Sequence, residues 1–172
     1  MEKKVISRFI VNIFFSNFFL ILLSIALNIE TNIKIGLPFN SIAYYTFIST
    51  ITVLFYLYAY RIPKSLKSSS NPRTQFYITH RKSVRIYTAI LAVIALISGI
   101  ILAINCLPNY EILTWKWLTV LSFTTILSFG YYDFKLGISL RKTMLLKPFL
   151  IGWTWAITTV FLPVLFLMLK NE

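Results

Sequence analysis

Ile86-Tyr87-Thr88-Ala89-Ile90-Leu91-Ala92-Val93-Ile94-Ala95-Leu96-Ile97-Ser98-Gly99-Ile100-Ile101-Leu102-Ala103-Ile104-Asn105 is an unbroken apolar run without a charge, preceded by Arg81, Lys82 and Arg85. The hydrocarbon core of a bilayer is about 30 Å thick and a helix rises about 1.5 Å per residue, so about 20 such residues span it. Four more stretches read the same way: 9–29, 39–60, 115–132 and 148–169. Only the 115–132 stretch holds a charge, Lys116, whose ammonium can snorkel to the interface. The runs are continuous rather than alternating, so helices and not a β-barrel are expected. With 58% hydrophobic and 13% charged residues, the chain cannot cover a water-facing surface. The expected fold class is an all-α polytopic membrane protein, a single domain over 1–172 built as a five-helix transmembrane bundle.

The basic residues orient this bundle. Lys3, Lys4 and Arg8 precede the first stretch. Arg61, Lys64, Lys67, Arg73, Arg81, Lys82 and Arg85 lie between the second and third, and Lys135, Arg141, Lys142 and Lys147 between the fourth and fifth. Cytoplasmic segments retain Lys and Arg. The N-terminus is therefore expected inside and the C-terminus outside, with cytoplasmic loops at 61–85 and 133–147. Such a distribution also accounts for the formal charge of +12. The cations sit within reach of anionic headgroups, and no nucleic-acid partner is expected. Ser24-Ile25-Ala26 loosely mimics a cleavage site, yet the apolar run before it is long for a secretory signal. We read it as an anchor that stays.

Residue inventory narrows the chemistry. One Cys and one His provide no disulfide, thiolate site or metal cluster, and no cofactor is expected. Proton relays and ion-coupled carriers need ionisable groups at depth, and the spans have none. Thr119, Ser122, Thr125 and Ser128 recur every three residues, a stripe suited to close helix packing. Tyr56, Tyr58, Tyr60, Tyr131, Tyr132, Trp115 and Trp117 fall where interfacial aromatic anchors belong. In the long loop, Ser68-Ser69-Ser70-Asn71-Pro72 reads as a turn and Phe76-Tyr77-Ile78 as a short interfacial segment. The outer connections, about 30–38 and 106–114, are too short for an outer domain.

Gly130-Tyr131-Tyr132-Asp133-Phe134-Lys135-Leu136-Gly137-Ile138-Ser139-Leu140-Arg141-Lys142, followed by Lys147-Pro148-Phe149-Leu150-Ile151-Gly152-Trp153-Thr154-Trp155-Ala156, resembles the connection between the fourth and fifth helices of the UbiA family of intramembrane prenyltransferases. The closing Thr158-Thr159-Val160-Phe161-Leu162-Pro163 is similar to short members of that family. The resemblance covers the first five of the family's nine helices and implies a half-sized relative. It also marks the departures. That family holds Mg²⁺-diphosphate between two aspartate-rich motifs, where carboxylate-bound metal neutralises the leaving group. The position of the first motif reads Tyr58-Ala59-Tyr60-Arg61-Ile62-Pro63, without an acid, and the second would lie beyond this chain's helices. Asp133 alone cannot build the clamp, so no catalytic residue and no metal ligand is expected.

What the resemblance leaves is binding. Arg61, Lys64, Arg81, Lys135, Arg141, Lys142 and Lys147, with Tyr58 and Tyr131 beneath them, would form a cytoplasmic site for an isoprenoid or quinone with an anionic or polar head. The plainer account is that these cations only set topology. Three functional readings follow. The first is a non-catalytic UbiA-like membrane protein that binds an isoprenoid, quinone or lipid, or serves as a small subunit of a membrane complex. The second is a reduced prenyltransferase using acids from a partner or a second copy. The third is an assembly subunit whose hydroxyl stripe faces a membrane-protein partner or another copy. The Ile, Lys, Asn and Phe content hints at an AT-rich bacterial genome, hence a bacterial inner membrane.

Overall fold

The computed structural model describes residues 13–59, 68–106, 115–131 and 146–170. Among the described residues the chain is all helical, with no strand. The helices are α1 (Phe19–Ile35), α2 (Ile42–Ala59), α3 (Pro72–Thr79), α4 (Arg81–Cys106), α5 (Trp115–Tyr131), α6 (Leu146–Ala156) and α7 (Leu162–Lys170). A π-helical turn, Ile157–Phe161, joins α6 to α7. Two helical segments are long and apolar enough to cross a bilayer, Arg81–Cys106 and Pro148–Lys170. They carry the third and fifth apolar stretches. Shorter apolar helices cover the second and fourth.

The first apolar stretch is not one uninterrupted helix. Asn17 adopts φ 61°, and around it the Phe18 N–H bonds the Ile13 carbonyl and the Asn17 N–H bonds the Phe14 carbonyl, each at 3.2 Å. That pair of bonds is a Schellman closure, with Asn in the left-handed position that Gly usually fills. The helix restarts at Phe19 and runs past Ile29 through most of the connection expected at 30–38, until a second Schellman closure ends it. There Gly36, at φ 72°, donates to the Ile33 carbonyl and Leu37 to the Asn32 carbonyl. The Asn32 side chain also donates to the Pro38 carbonyl at 2.9 Å, pinning the exit. Along α1, Leu20, Ser24, Asn28 and Asn32 recur at the four-residue spacing of one helix face and are all buried. An exposed pair, Glu30–Lys34 at 2.6 Å, contributes a few tenths of a kcal/mol, as about 0.2–0.5 is usual at this spacing.

The chain forms two compact units. The first comprises 1–26 with 42–101 and the second 27–41 with 102–172. In the first, α4 buries Leu91, Ala95 and Ser98 along one face. Gly99 beside that face lets α4 approach α2 closely: a Cβ built there would lie 3.0 Å from the Phe47 ring. In the second, Trp153 donates its indole N–H to the Thr124 hydroxyl at 3.1 Å, joining α6 to α5. The Trp117 and Phe161 rings meet at a tilt of 50°, centroids 4.6 Å apart. Pro163 explains the π turn. It has no N–H to continue the ladder, and its ring would collide with a carbonyl four residues earlier. Widening the turn relieves this, and the Leu162 N–H reaches back five residues to the Ile157 carbonyl. The Pro163 carbonyl accepts from the Asn40 side chain at 3.4 Å.

Candidate functional site

Five of the nine site residues expected from the sequence, Arg61, Lys64, Lys135, Arg141 and Lys142, lie outside the described residues. Tyr131 ends α5 and Lys147 lies in the first turn of α6, their side chains also outside the description. Tyr58 stands exposed near the end of α2, and Arg81 half-buried at the start of α4. Both fall in the first unit, where the described residues form a groove. It has a volume of about 170 Å³ and is lined by Ser16, Leu57, Phe76, His80, Ser83, Val84 and Tyr87. Tyr58 is the sequence neighbour of Leu57, and Arg81 of His80.

Local rules assemble this groove. Asn71 caps α3 by accepting the N–H groups of Arg73 and Thr74, and Pro72 occupies the first helical position, where a missing N–H costs nothing. This short helix brings Phe76 and His80 to the wall. It is held by a buried polar node at the Asn17 break. The Arg73 guanidinium donates to the Asn17 side-chain oxygen. The Asn17 amide donates to the Tyr77 hydroxyl at 3.0 Å, which in turn donates to the Phe15 carbonyl at 2.7 Å. Asn17 and Tyr77 are 1% and 5% exposed, so these bonds form away from water, where an unpaired group is costly. Phe15 and Phe76 complete the contact edge to face at 5.5 Å.

The groove is apolar within and polar at its margin. Leu57, Phe76, Val84 and Tyr87 supply its body, and Ser16, His80 and Ser83 its hydroxyl and imidazole groups. The His80 Nδ1 lies 3.1 Å from the Phe76 carbonyl. The Tyr87 hydroxyl is buried and has no hydrogen-bond partner among the described residues. Lys82 and Arg85, both exposed, sit on the first turns of α4 between lining residues. Among the described residues no hydrogen bond pairs the His80 imidazole with the Ser16 or Ser83 hydroxyl; His80 and Ser16 bond the Phe76 and Ile13 carbonyls instead. Among the described residues no three His, Cys, Asp or Glu side chains gather as metal ligands. What it can do is hold an apolar chain beside a cationic surface.

Sequence reasoning missed the node: Arg73 stands among seven cations between the second and third apolar stretches, and nothing local ties it to Asn17. The available signal was an Asn, a residue that tolerates the left-handed region, in the middle of a span. The chain matches no family model, no curated protein and no solved structure.

Proposed function

We propose that this chain is a non-catalytic bacterial inner-membrane protein, a five-span bundle with the N-terminus inside. In this reading it holds the chain of an isoprenoid, quinone or lipid at the cytoplasmic ends of its first three spans. The observation that carries this reading is the groove. Its body is apolar, and it lies on the helix ends that adjoin the most basic segment of the chain. Its membrane setting is supported by the outward face of α4. Ile86, Ile90, Val93, Leu96, Ile97, Ile100 and Ile104 are each more than half exposed. In water such a surface would exceed the apolar patch a soluble monomer tolerates, whereas lipid solvates it. Kinship with the UbiA prenyltransferases is part of the proposal and rests on the loop and helix-five motif alone. The missing acids favour binding over prenyl transfer.

Native mass spectrometry of the chain extracted from its own membrane in mild detergent tests this. A stoichiometric adduct of isoprenoid, quinone or lipid mass is expected, and it should be lost on Val84→Trp. A chain that carries no amphiphile overturns the reading. A second reading, subunit of a membrane complex, is favoured by one observation: Thr119, Ser122 and Thr125 stand exposed on α5. Co-purification of a second polypeptide, or of a second copy, that Ser122→Leu and Thr125→Leu release would support it.

A further inference from the structure

One wall of the groove is a single face of α4. Ser83, Val84 and Tyr87 line it, and at about 100° per residue they fall within an arc of about 100°. Lys82 and Arg85 lie about 150° from the middle of that arc, on the face turned away from the groove. The other lining side chains are Ser16, Leu57, Phe76 and His80. No Lys, Arg, Asp or Glu is among the lining residues. A charged head seated here would be buried without a counter-ion, which is costly.

The hydrogen-bonding groups of the lining point the same way. The Tyr87 hydroxyl is buried and has no hydrogen-bond partner among the described residues. Ser16 already donates its hydroxyl proton to the Ile13 carbonyl at 3.1 Å. The His80 Nδ1 lies 3.1 Å from the Phe76 carbonyl, and a carbonyl only accepts, so Nδ1 carries the proton. In the neutral ring Nε2 is then an acceptor. The groove thus holds one donor without a partner, Tyr87, and two acceptors, the Ser16 oxygen and His80 Nε2. A carbonyl head can accept from Tyr87, and a hydroxyl head can also donate to one of the acceptors. A phosphate or carboxylate would set its negative oxygens against them.

Size agrees with a small head. A cavity of about 150 Å³ admits a molecule the size of benzene, so a groove of about 170 Å³ seats a hydroxyl or carbonyl with the first carbons of its tail. The Tyr87 hydroxyl is closed to solvent. The oxygen that pairs with it has to arrive on an apolar body that parts the surrounding side chains.

We infer that the groove selects an uncharged amphiphile with a hydroxyl or carbonyl head, and that the Tyr87 hydroxyl is the donor that recognises the head oxygen. This deepens the proposed function and rests on its reading of the groove. It excludes phosphorylated isoprenoids and phospholipids from the seat. Prenyl alcohols, quinones and acylglycerols share the required chemistry.

The test uses the full chain, delipidated in a neutral detergent and given three probes with one tail at equal mole fraction: farnesol, farnesyl phosphate and the hydrocarbon farnesene. Native mass spectrometry reads the bound stoichiometry. One farnesol per chain is expected, with farnesyl phosphate weaker on the order of tenfold. Tyr87→Phe should lower farnesol affinity about fivefold, the worth of one neutral hydrogen bond, and leave farnesene unchanged. Lys82→Gln with Arg85→Gln, both exposed, should alter none of the three. Val84→Trp should abolish binding of all, and Leu57→Trp serves if that variant loses its helicity. A decyl-benzoquinone and a monoacylglycerol, run the same way, separate the sources: the head that loses most on Tyr87→Phe is the one the groove fits. Preference for farnesyl phosphate, or retention of every oxygen-headed probe indifferent to Tyr87→Phe, overturns the inference. If probes bind without regard to their heads and Val84→Trp displaces them, the groove's general role survives and the head assignment fails. If no amphiphile binds, both fall.

Discussion

Replacing Asn17 by Ala should be among the most damaging single substitutions in the first unit, for two separable reasons. The backbone at this position sits at φ 61°, which costs an ordinary L-residue about 1–2 kcal/mol more than it costs Asn or Gly. The side chain also accepts from the Arg73 guanidinium and donates to the Tyr77 hydroxyl in a buried setting. A charged hydrogen bond is worth about 1.5–3 kcal/mol and a neutral one about 1. Together these give an expected loss of about 4–5 kcal/mol. Asn17→Gly keeps the backbone geometry and removes only the bonds, so it should be the milder variant by about 1 kcal/mol. Tyr77→Phe breaks the other arm of the node. Combined with Asn17→Gly it should fall short of additivity by about 1 kcal/mol, since the two share one bond. Far-UV circular dichroism during sodium dodecyl sulfate titration in mixed micelles measures these differences. An Asn17→Ala protein within about 0.5 kcal/mol of the parent, the range of ordinary surface substitutions, would refute the argument. So would a Gly variant no better than Ala.

Two glycines should respond in opposite directions. Gly36→Ala meets no neighbour, but the φ of 72° alone should cost about 1 kcal/mol. Gly152→Ala, helical and also in open space, should stabilise by about 0.5–1 kcal/mol; both are read in the same titration. Gly99→Val would drive a branched side chain into the Phe47 ring and should cost about 1–3 kcal/mol. Adding Phe47→Leu should restore part of that loss, whereas an unrelieved double variant would argue against the contact. Cys106, the chain's single cysteine, ends α4. The proposed orientation requires it to react with a membrane-impermeant maleimide added to intact cells, while Ser69→Cys in a Cys106→Ser background reacts only after permeabilisation.

Hydropathy made the helical class legible because it is a sum over many residues, and α4 is the clearest case: its bounds enclose the run of 86–105. A short segment around Phe76 was legible too; the structure makes it a helix, and the cap responsible, Asn71-Pro72, is a short-range signal. The break at Asn17 was not. In a hydropathy average one Asn among phenylalanines counts as noise, and only its partners Arg73 and Tyr77, some sixty residues away, give it a reason to be there. The same holds for Asn32 and Gly36, which carry α1 through a segment whose Glu30 and Lys34 read as a loop. For the site, positive-inside reasoning named Tyr58 and Arg81, which are the sequence neighbours of the groove residues Leu57 and His80. It could not find Leu57, Val84 or Tyr87, because a groove is made by the gap between side chains and an apolar residue beside a gap looks like any other.

The π turn at Ile157–Phe161 also acts as a phase adjuster. One added residue in an α-helix rotates everything beyond it by about 100°, since a turn takes 3.6 residues. A wide turn absorbs that residue locally. Leu165 and Leu169, four residues apart on one face of α7, are buried in the azimuth this absorption leaves them. Deleting one of Thr158, Thr159 or Val160 would tighten the rod to a regular helix and leave α7 on its present azimuth, whereas the same deletion within α7 itself would turn everything beyond it by about 100°. The last helix is thus indexed to the rest of its unit by a single residue's worth of slack.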